Sequence, residues 1–237
     1  MNLTKLANLQ EQWATEVIIL PDNAGYVPKD EDLIFSLDIQ YVGETAFVAL
    51  DVQRYSGELI GTFVEQSEVE MPYVPHFFCF REGPPLLKIV KKVQERFKLE
   101  PSVLIADGHG IAHPRRFGVA CWLGVQMNLP TIGCAKQTLL DYQGILSEKR
   151  GSTLPVCLEN EEVGKVLRTQ KAVKPVFVSV GHKMNLTTAT EMILNLASRY
   201  RICEPLRRAD QAARAYAKGK NVPALQPVDQ ELGNDNA

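Results

Sequence analysis

Apolar residues recur at helical spacing over residues 4–18, which predicts an amphipathic helix. Pro21 to Asp32 is rich in Asp, Pro and Gly and reads as a loop. Three strand-like runs follow, Leu33 to Tyr41, Thr45 to Tyr55 and Leu59 to Val69. The turn signals Gly43-Glu44 and Ser56-Gly57-Glu58 separate them, so the spacing predicts an antiparallel meander. Met71 to Phe80 is an aromatic, proline-containing loop, and Leu86, Leu87, Val90, Val93 and Phe97 predict a helix from about Pro84 to Phe97. Val103 to Ala106 is a short apolar strand, and Asp107 to Arg116, with two glycines and a proline, is a loop. Phe117 to Met127 reads as a buried helix and Thr131 to Ala135 as a strand. Residues 138–160 look irregular; strands are expected at Val163 to Leu167 and Val176 to Val180, and helices at Thr187 to Tyr200 and Arg207 to Lys218.

Short strands alternating with helices in the second half suggest parallel pairing through right-handed crossovers. The predicted fold class is therefore α/β: an antiparallel meander followed by parallel strands in one mixed sheet, with helices on both faces. A chain of 237 residues fits one large domain, expected over residues 1–218, and the polar segment 219–237 reads as a frayed tail. With 26 Lys plus Arg against 28 Asp plus Glu, a bulk electrostatic grip on nucleic acid is excluded, and any such partner needs basic residues gathered on one face. Five widely spaced cysteines without a CxxC pair argue against a disulfide framework and a thiolate zinc site. The N-terminal stretch carries Glu11 and Glu16 and does not resemble a signal peptide, and no apolar run is long enough for a membrane span. A cytoplasmic, monomeric enzyme is the expectation.

Three carboxylates stand out. Asp38 interrupts the apolar strand Ile34 to Ile39, where a buried charge needs a cation, a hydrogen-bond network or a metal. The plain alternative is a solvent-facing strand residue. Asp107 closes the strand Val103 to Ala106, and ligand sites in α/β sheets lie beyond the carboxyl ends of parallel strands. If the two strands are parallel neighbours, Asp38 and Asp107 meet and offer the oxygen ligands that Mg²⁺ prefers; otherwise Asp107 is a turn residue before Gly108. Glu82 precedes the predicted helix, where an acidic residue is ordinary, but it could complete an acidic cluster.

The densest polar stretch is Asp107-Gly-His-Gly-Ile-Ala-His-Pro-Arg-Arg. His109 and His113 have a helical zinc spacing, which Pro114 and the glycines oppose. Phosphate handling is the other reading, with His113, Arg115 and Arg116 as contacts. Lys136 and His182 follow strands and are expected at the same edge as the carboxylates; surface lysine and structural histidine are the plain alternatives.

Met71-Pro72-Tyr73-Val74-Pro75, Phe80-Arg81-Glu82, the DGHGxxHPRR block, Thr131 to Lys136 and Gly181-His182-Lys183 closely resemble endonuclease V, over about residues 38–210 including Arg208-Ala209-Asp210. The resemblance implies a ribonuclease H-like fold. It implies a Mg²⁺-dependent DNA repair endonuclease, with Mn²⁺ as substitute, that acts on deoxyinosine and in some members on inosine in RNA. The implied cut is at the second phosphodiester bond 3′ to the lesion, leaving 3′-hydroxyl and 5′-phosphate ends. By motif match Asp38 and Asp107 resemble the metal ligands, Glu82 the third acid, and Lys136 and His182 the basic catalytic residues. Tyr73, stiffened by Pro72 and Pro75, resembles a strand-separating wedge, and the backbone of Gly108 and Gly110 would line the pocket for a flipped base. Three departures are visible: His76 where the family commonly has Gly, Cys121-Trp122 where it has Ser-His, and Thr187 at a position often acidic. They keep open a binder of deaminated nucleic acid that cleaves little, beside the metal-dependent nuclease and a zinc hydrolase on His109 and His113.

Overall fold

The computed structural model describes residues 2–220 and 225–227. After helix α1 (Leu3–Ala14) come β1 (Leu33–Val42), β2 (Thr45–Arg54), β3 (Leu59–Glu68), α2 (Phe78–Phe97), β4 (Val103–Ala106) and α3 (Val119–Met127). They are followed by β5 (Thr131–Ala135), β6 (Thr153–Leu158), β7 (Glu161–Leu167), β8 (Val176–His182), α4 (Leu186–Leu196), α5 (Glu204–Ala217) and β9 (Leu225–Pro227). The strands form one sheet in the order β6-β7-β8-β5-β4-β1-β2-β3-β9. The meander is present, β1 with β2 and β2 with β3 antiparallel. Its tight turns use glycine where φ is positive, 59° at Gly43 and 100° at Gly57.

The parallel expectation holds for β4 beside β1 and β5 beside β4. It fails for β8, which is antiparallel to β5, and for β7, antiparallel to β8. An apolar run such as Val176–Val180 is buried on both faces whichever way it points, so its sequence carries no direction. The region 138–160, expected to be irregular, contains β6, an edge strand with only Val156 buried. Helix α2 starts at Phe78 rather than Pro84, and Pro84 and Pro85 lie inside it. Of residues 219–237, Leu225–Pro227 pair with β3; residues 221–224 and 228–237 lie outside the described residues.

The two faces of the meander are assigned by register. Ser36, Asp38 and Gln40 of β1 stand opposite Asp51, Ala49 and Phe47 of β2, and share one face. Helix α5 covers it, through Arg208 on Asp51 and through Ala209, Ala212 and Ala213 packed on Ala49 and Val64. On the other face Glu65 of β3, opposite Val48, takes Lys88 and Lys92 of α2. Helices therefore cover both faces, as expected. The main core fills the space between sheet and helices, with Phe35, Leu37, Leu50, Phe63, Leu104 and Ile132 fully buried. No helix among the described residues is long and apolar enough to cross a membrane.

Candidate active site

Parallel pairing of β1 and β4 sets Leu37 beside Ala106, and the Asp107 N–H donates to the Leu37 carbonyl at 3.0 Å. The next residue on each strand is an aspartate, so Asp38 and Asp107 become neighbours at the carboxyl edge. A third comes from α5: ligand oxygens of Asp38, Asp107 and Asp210 lie within 4.8 Å of one another. Asp210 is placed by its helix. Two residues before it, Arg208 forks onto both oxygens of the fully buried Asp51, at 2.7 and 2.8 Å. That fixes α5 along the sheet.

Lys136, just past β5, donates to Asp107 and, at 2.8 Å, to Asp210. Arg214, one turn on from Asp210, reaches both its oxygens at 2.9 and 3.1 Å. Burial raises the Asp38 carboxyl well above the usual range, Asp107 adds to it, and Lys136 opposes it. Burial likewise raises Asp107 despite Lys136. For Asp210 burial is outweighed by the hydrogen bonds from Lys136 and Arg214, which hold its carboxyl low. Lys136 is pushed up, since Asp107 and Asp210 more than offset its own burial. Three carboxylates beside the Lys136 ammonium and the Arg214 guanidinium leave a cluster with net negative charge. All-oxygen donors suit a hard divalent ion such as Mg²⁺ or Mn²⁺. The residues present fit such an ion.

Glu82 belongs to α2, on the opposite face, and approaches the same edge. Burial and then Asp107 push its carboxyl up to about 8, against Arg81. It stands outside the close triad but lines a cavity of about 380 Å³ that also takes in Asp107, Gly108, His109, Val119, Lys136 and Leu139. Gly83 behind it is forced to be small, because a Cβ there would run into the Trp122 ring. Trp122, one of the departures, thus seats α2. At the cavity's Phe78 wall, Tyr73 packs edge-on to Phe78 at 5.0 Å and stays 62% exposed, in the loop that carries Pro72 and Pro75.

Two expected site residues, His182 and Gly110, lie elsewhere. His182 pairs with Thr131, at the start of β5. Lys136 is five residues further along that strand, about 16 Å away. His182 is buried, and its Nδ1 accepts the Ile18 N–H at 3.2 Å. The antiparallel direction of β8 removes it from the cluster. Gly110 is not in the cavity wall; a Cβ there would collide with the Val180 carbonyl oxygen, so it serves close packing, while Gly108 does line the cavity. The expected phosphate contacts His113, Arg115 and Arg116 have protein partners in the structure. His113 accepts the Arg115 N–H at Nδ1 and bonds the His76 carbonyl through Nε2, and burial lowers its pKa to about 3. Arg115 is spent on Gln10 and the His76 carbonyl, and Arg116 pairs with Glu161 at 2.6 Å. His113 also lines the cavity.

The zinc reading has no third ligand: among the described residues, the one such cluster of three or more is Asp38, Asp107 and Asp210. His76 has φ 66°, the left-handed region that explains why glycine is common there, and its carbonyl anchors Arg115. Thr187 is exposed at the start of α4, away from the site. Asp210, not Thr187, brings the additional acid. Its sequence signal was the Arg208-Ala209-Asp210 stretch of the family resemblance, which carried no role for it.

A family model described as Endonuclease V matches residues 17–211. An Endonuclease V of Dictyoglomus thermophilum is 47% identical over 152 residues, 64% of this chain and 65% of that one. The crystal structure of Endonuclease V from Streptomyces avermitilis is similar at 36% identity and a TM-score of 0.82, over 92% of this chain and 94% of that one. A Ciona intestinalis Endonuclease V, in complex with a 23mer DNA containing an inosine followed by a ribo-adenosine, is 25% identical with a TM-score of 0.81, over 92% and 97% of the two chains.

Proposed function

The chain belongs to the endonuclease V family, a family of nucleases, and we propose that it is a Mg²⁺-dependent repair endonuclease that recognises deaminated bases, chiefly deoxyinosine, in DNA. The observation that carries the proposal is the meeting of Asp38, Asp107 and Asp210 beside a cavity of about 380 Å³. The inosine-containing DNA bound by the Ciona relative supports the substrate class.

In this reading Tyr73 enters the base stack from its proline-stiffened loop, and the extruded base fills the cavity over Gly108, His109 and Val119. Asp38, Asp107 and Asp210 would hold the divalent ion. Bound there, it supplies Lewis-acid polarisation of the phosphate and eases deprotonation of a water. Lys136 places its ammonium beside Asp107, where it offsets charge that builds on the phosphate oxygens. Glu82 lines the cavity beside Asp107 and would orient the attacking water or help hold a second ion. From the resemblance to the family, the scissile bond is taken to be the second one 3′ to the lesion, giving 3′-hydroxyl and 5′-phosphate ends; the separate base cavity and triad leave room for such an offset. Five free cysteines fit a reducing, cytoplasmic setting, and a triad supplied by one chain fits a monomer.

The test is a cleavage panel on labelled DNA and RNA carrying one inosine, with the cut mapped. Mg²⁺-dependent nicking at the second bond 3′ to inosine is expected. Tight binding of the inosine duplex with no nick would instead support a binder.

A further inference from the structure

The order of parts along the sheet's carboxyl edge sets a direction for the strand. The cavity lies over the ends of β4 and β5, through Asp107 to His109 and Ala135 to Leu139. The triad sits between the ends of β4 and β1. Beyond it, where β1 runs on past Asp38 under α5, a groove of about 190 Å³ is lined by Gln40, Val42, Arg214, Ala217 and Lys218. Cavity and triad lie over neighbouring strands about 4.8 Å apart, and the groove follows two to four residues beyond Asp38 along β1, about 7–13 Å on, within reach of the next nucleotides of one strand.

The charges in the groove suit a phosphate. Arg214 keeps 59% of its side chain exposed and uses Nε and Nη2 on Asp210, which leaves the Nη1 end of the fork for another acceptor. Lys218 is exposed at the end of α5, opposite Gln40 on the α5 face of β1. The groove at the end of β3, on the same edge, has the opposite character: Glu68 and Glu70 line it beside Lys88. A polyanion leaving the triad is attracted over α5 and repelled over β3.

We propose that the Arg214–Lys218 groove seats the backbone of the cut strand on the far side of the cut from the recognised base, with Arg214 and Lys218 as phosphate ligands. This rests on the proposed function, under which that segment is the 3′ flank. Arg214 then joins the two parts: its guanidinium holds a carboxylate of the triad and the next phosphate together.

The experiment pairs substrate truncation with substitution. Inosine-containing strands with a full 3′ flank, a 3′ flank ending just past the scissile bond, or an equally shortened 5′ flank are cut by the wild type, Arg214→Gln and Lys218→Gln. The wild type is expected to lose affinity severalfold on 3′ truncation. Each variant should bind the full substrate more weakly, respond less to 3′ truncation, respond normally to 5′ truncation, and show a log–log salt slope lower by about 1. Lys218→Gln is the decisive variant, since Lys218 touches none of the triad. Equal sensitivity of the variants and wild type to 3′ truncation, or a variant effect confined to the 5′ flank, overturns the groove. Failure of the wild type to cut any inosine strand overturns the proposed function instead.

Discussion

Replacing Arg208 with methionine removes its contacts to Asp51 and Gln53, which seat α5 and thereby Asp210. Arg208 donates to both oxygens of Asp51 at 2.7 and 2.8 Å, and Thr62 gives the same carboxylate its hydroxyl at 3.0 Å. Burial raises the Asp51 carboxyl, and Arg208 pulls it back only in part. On Arg208, burial disfavours the charge, but Asp51 more than offsets it. Burial thus opposes both charges, and pairing overcomes it on the guanidinium but not on the carboxylate. The two-pronged geometry on a fully buried oxygen pair favours the ionised form. Without the guanidinium, Asp51 keeps one hydroxyl donor inside the sheet. Breaking a buried pair costs about 3–5 kcal/mol, less where the stranded carboxylate can take up a proton. The sign follows from linkage. A carboxyl raised in the folded state binds a proton that the unfolded chain has lost, so stability falls as pH rises above the unfolded value of about 3.9. Urea denaturation of Arg208→Met should therefore show a loss of about 3–5 kcal/mol at pH 8, a smaller loss at pH 5, and a steeper decline with pH than wild type. Adding Asp51→Leu should recover most of the loss, because it removes the charge rather than its partner. A loss below about 1 kcal/mol, or one independent of pH, would refute the reasoning.

Other predictions concern the site's supports and its ion. Gly83→Ala drives a methyl into the Trp122 ring and should cost about 1–3 kcal/mol by thermal denaturation, with slower cutting as Glu82 moves with α2. Tyr73→Ala, at an exposed position, should leave stability within about 0.5 kcal/mol yet slow cutting of inosine in duplex more than in single strands; equal slowing of both would argue against a wedge. A fixed Mg²⁺ concentration about 100 times the dissociation constant at pH 8 should stabilise the protein there by about 2.7 kcal/mol. That gain should shrink as pH falls from 8 to 5, because the raised Asp38, Asp107 and Glu82 carboxyls take up protons that compete with the ion; a gain constant with pH would place the ion elsewhere.

What the sequence disclosed, and what it hid, has physical causes. The meander was legible because apolar runs alternate with glycine turns. Asp38 and Asp107 were legible because a carboxylate ending or interrupting an apolar strand needs a partner. The start of α2 was hidden because Pro84-Pro85 looks like a helix opening, whereas the chain carries both prolines inside the helix. β6 was hidden because an edge strand buries little. Strand direction was hidden most of all, and it moved His182 from the site to the opposite edge. The partners that hold His113, Arg115 and Arg116 in the glycine-rich loop, backbone carbonyls and Glu161, were not legible because they come from distant segments. Asp210, part of the Arg208-Ala209-Asp210 resemblance, was not legible as one of the site's acids because only the packing of α5 on β1 and β2 turns it toward the triad.

The proposed chemistry depends on three aspartates, from β1, β4 and α5, binding one divalent ion. Anomalous scattering from crystals soaked in Mn²⁺ tests this directly. The expected result is a strong peak bonded to carboxylate oxygens of Asp38, Asp107 and Asp210 together, and its loss in Asp107→Asn. A peak on His109 and His113 instead, or manganese bound without Asp210, would contradict it.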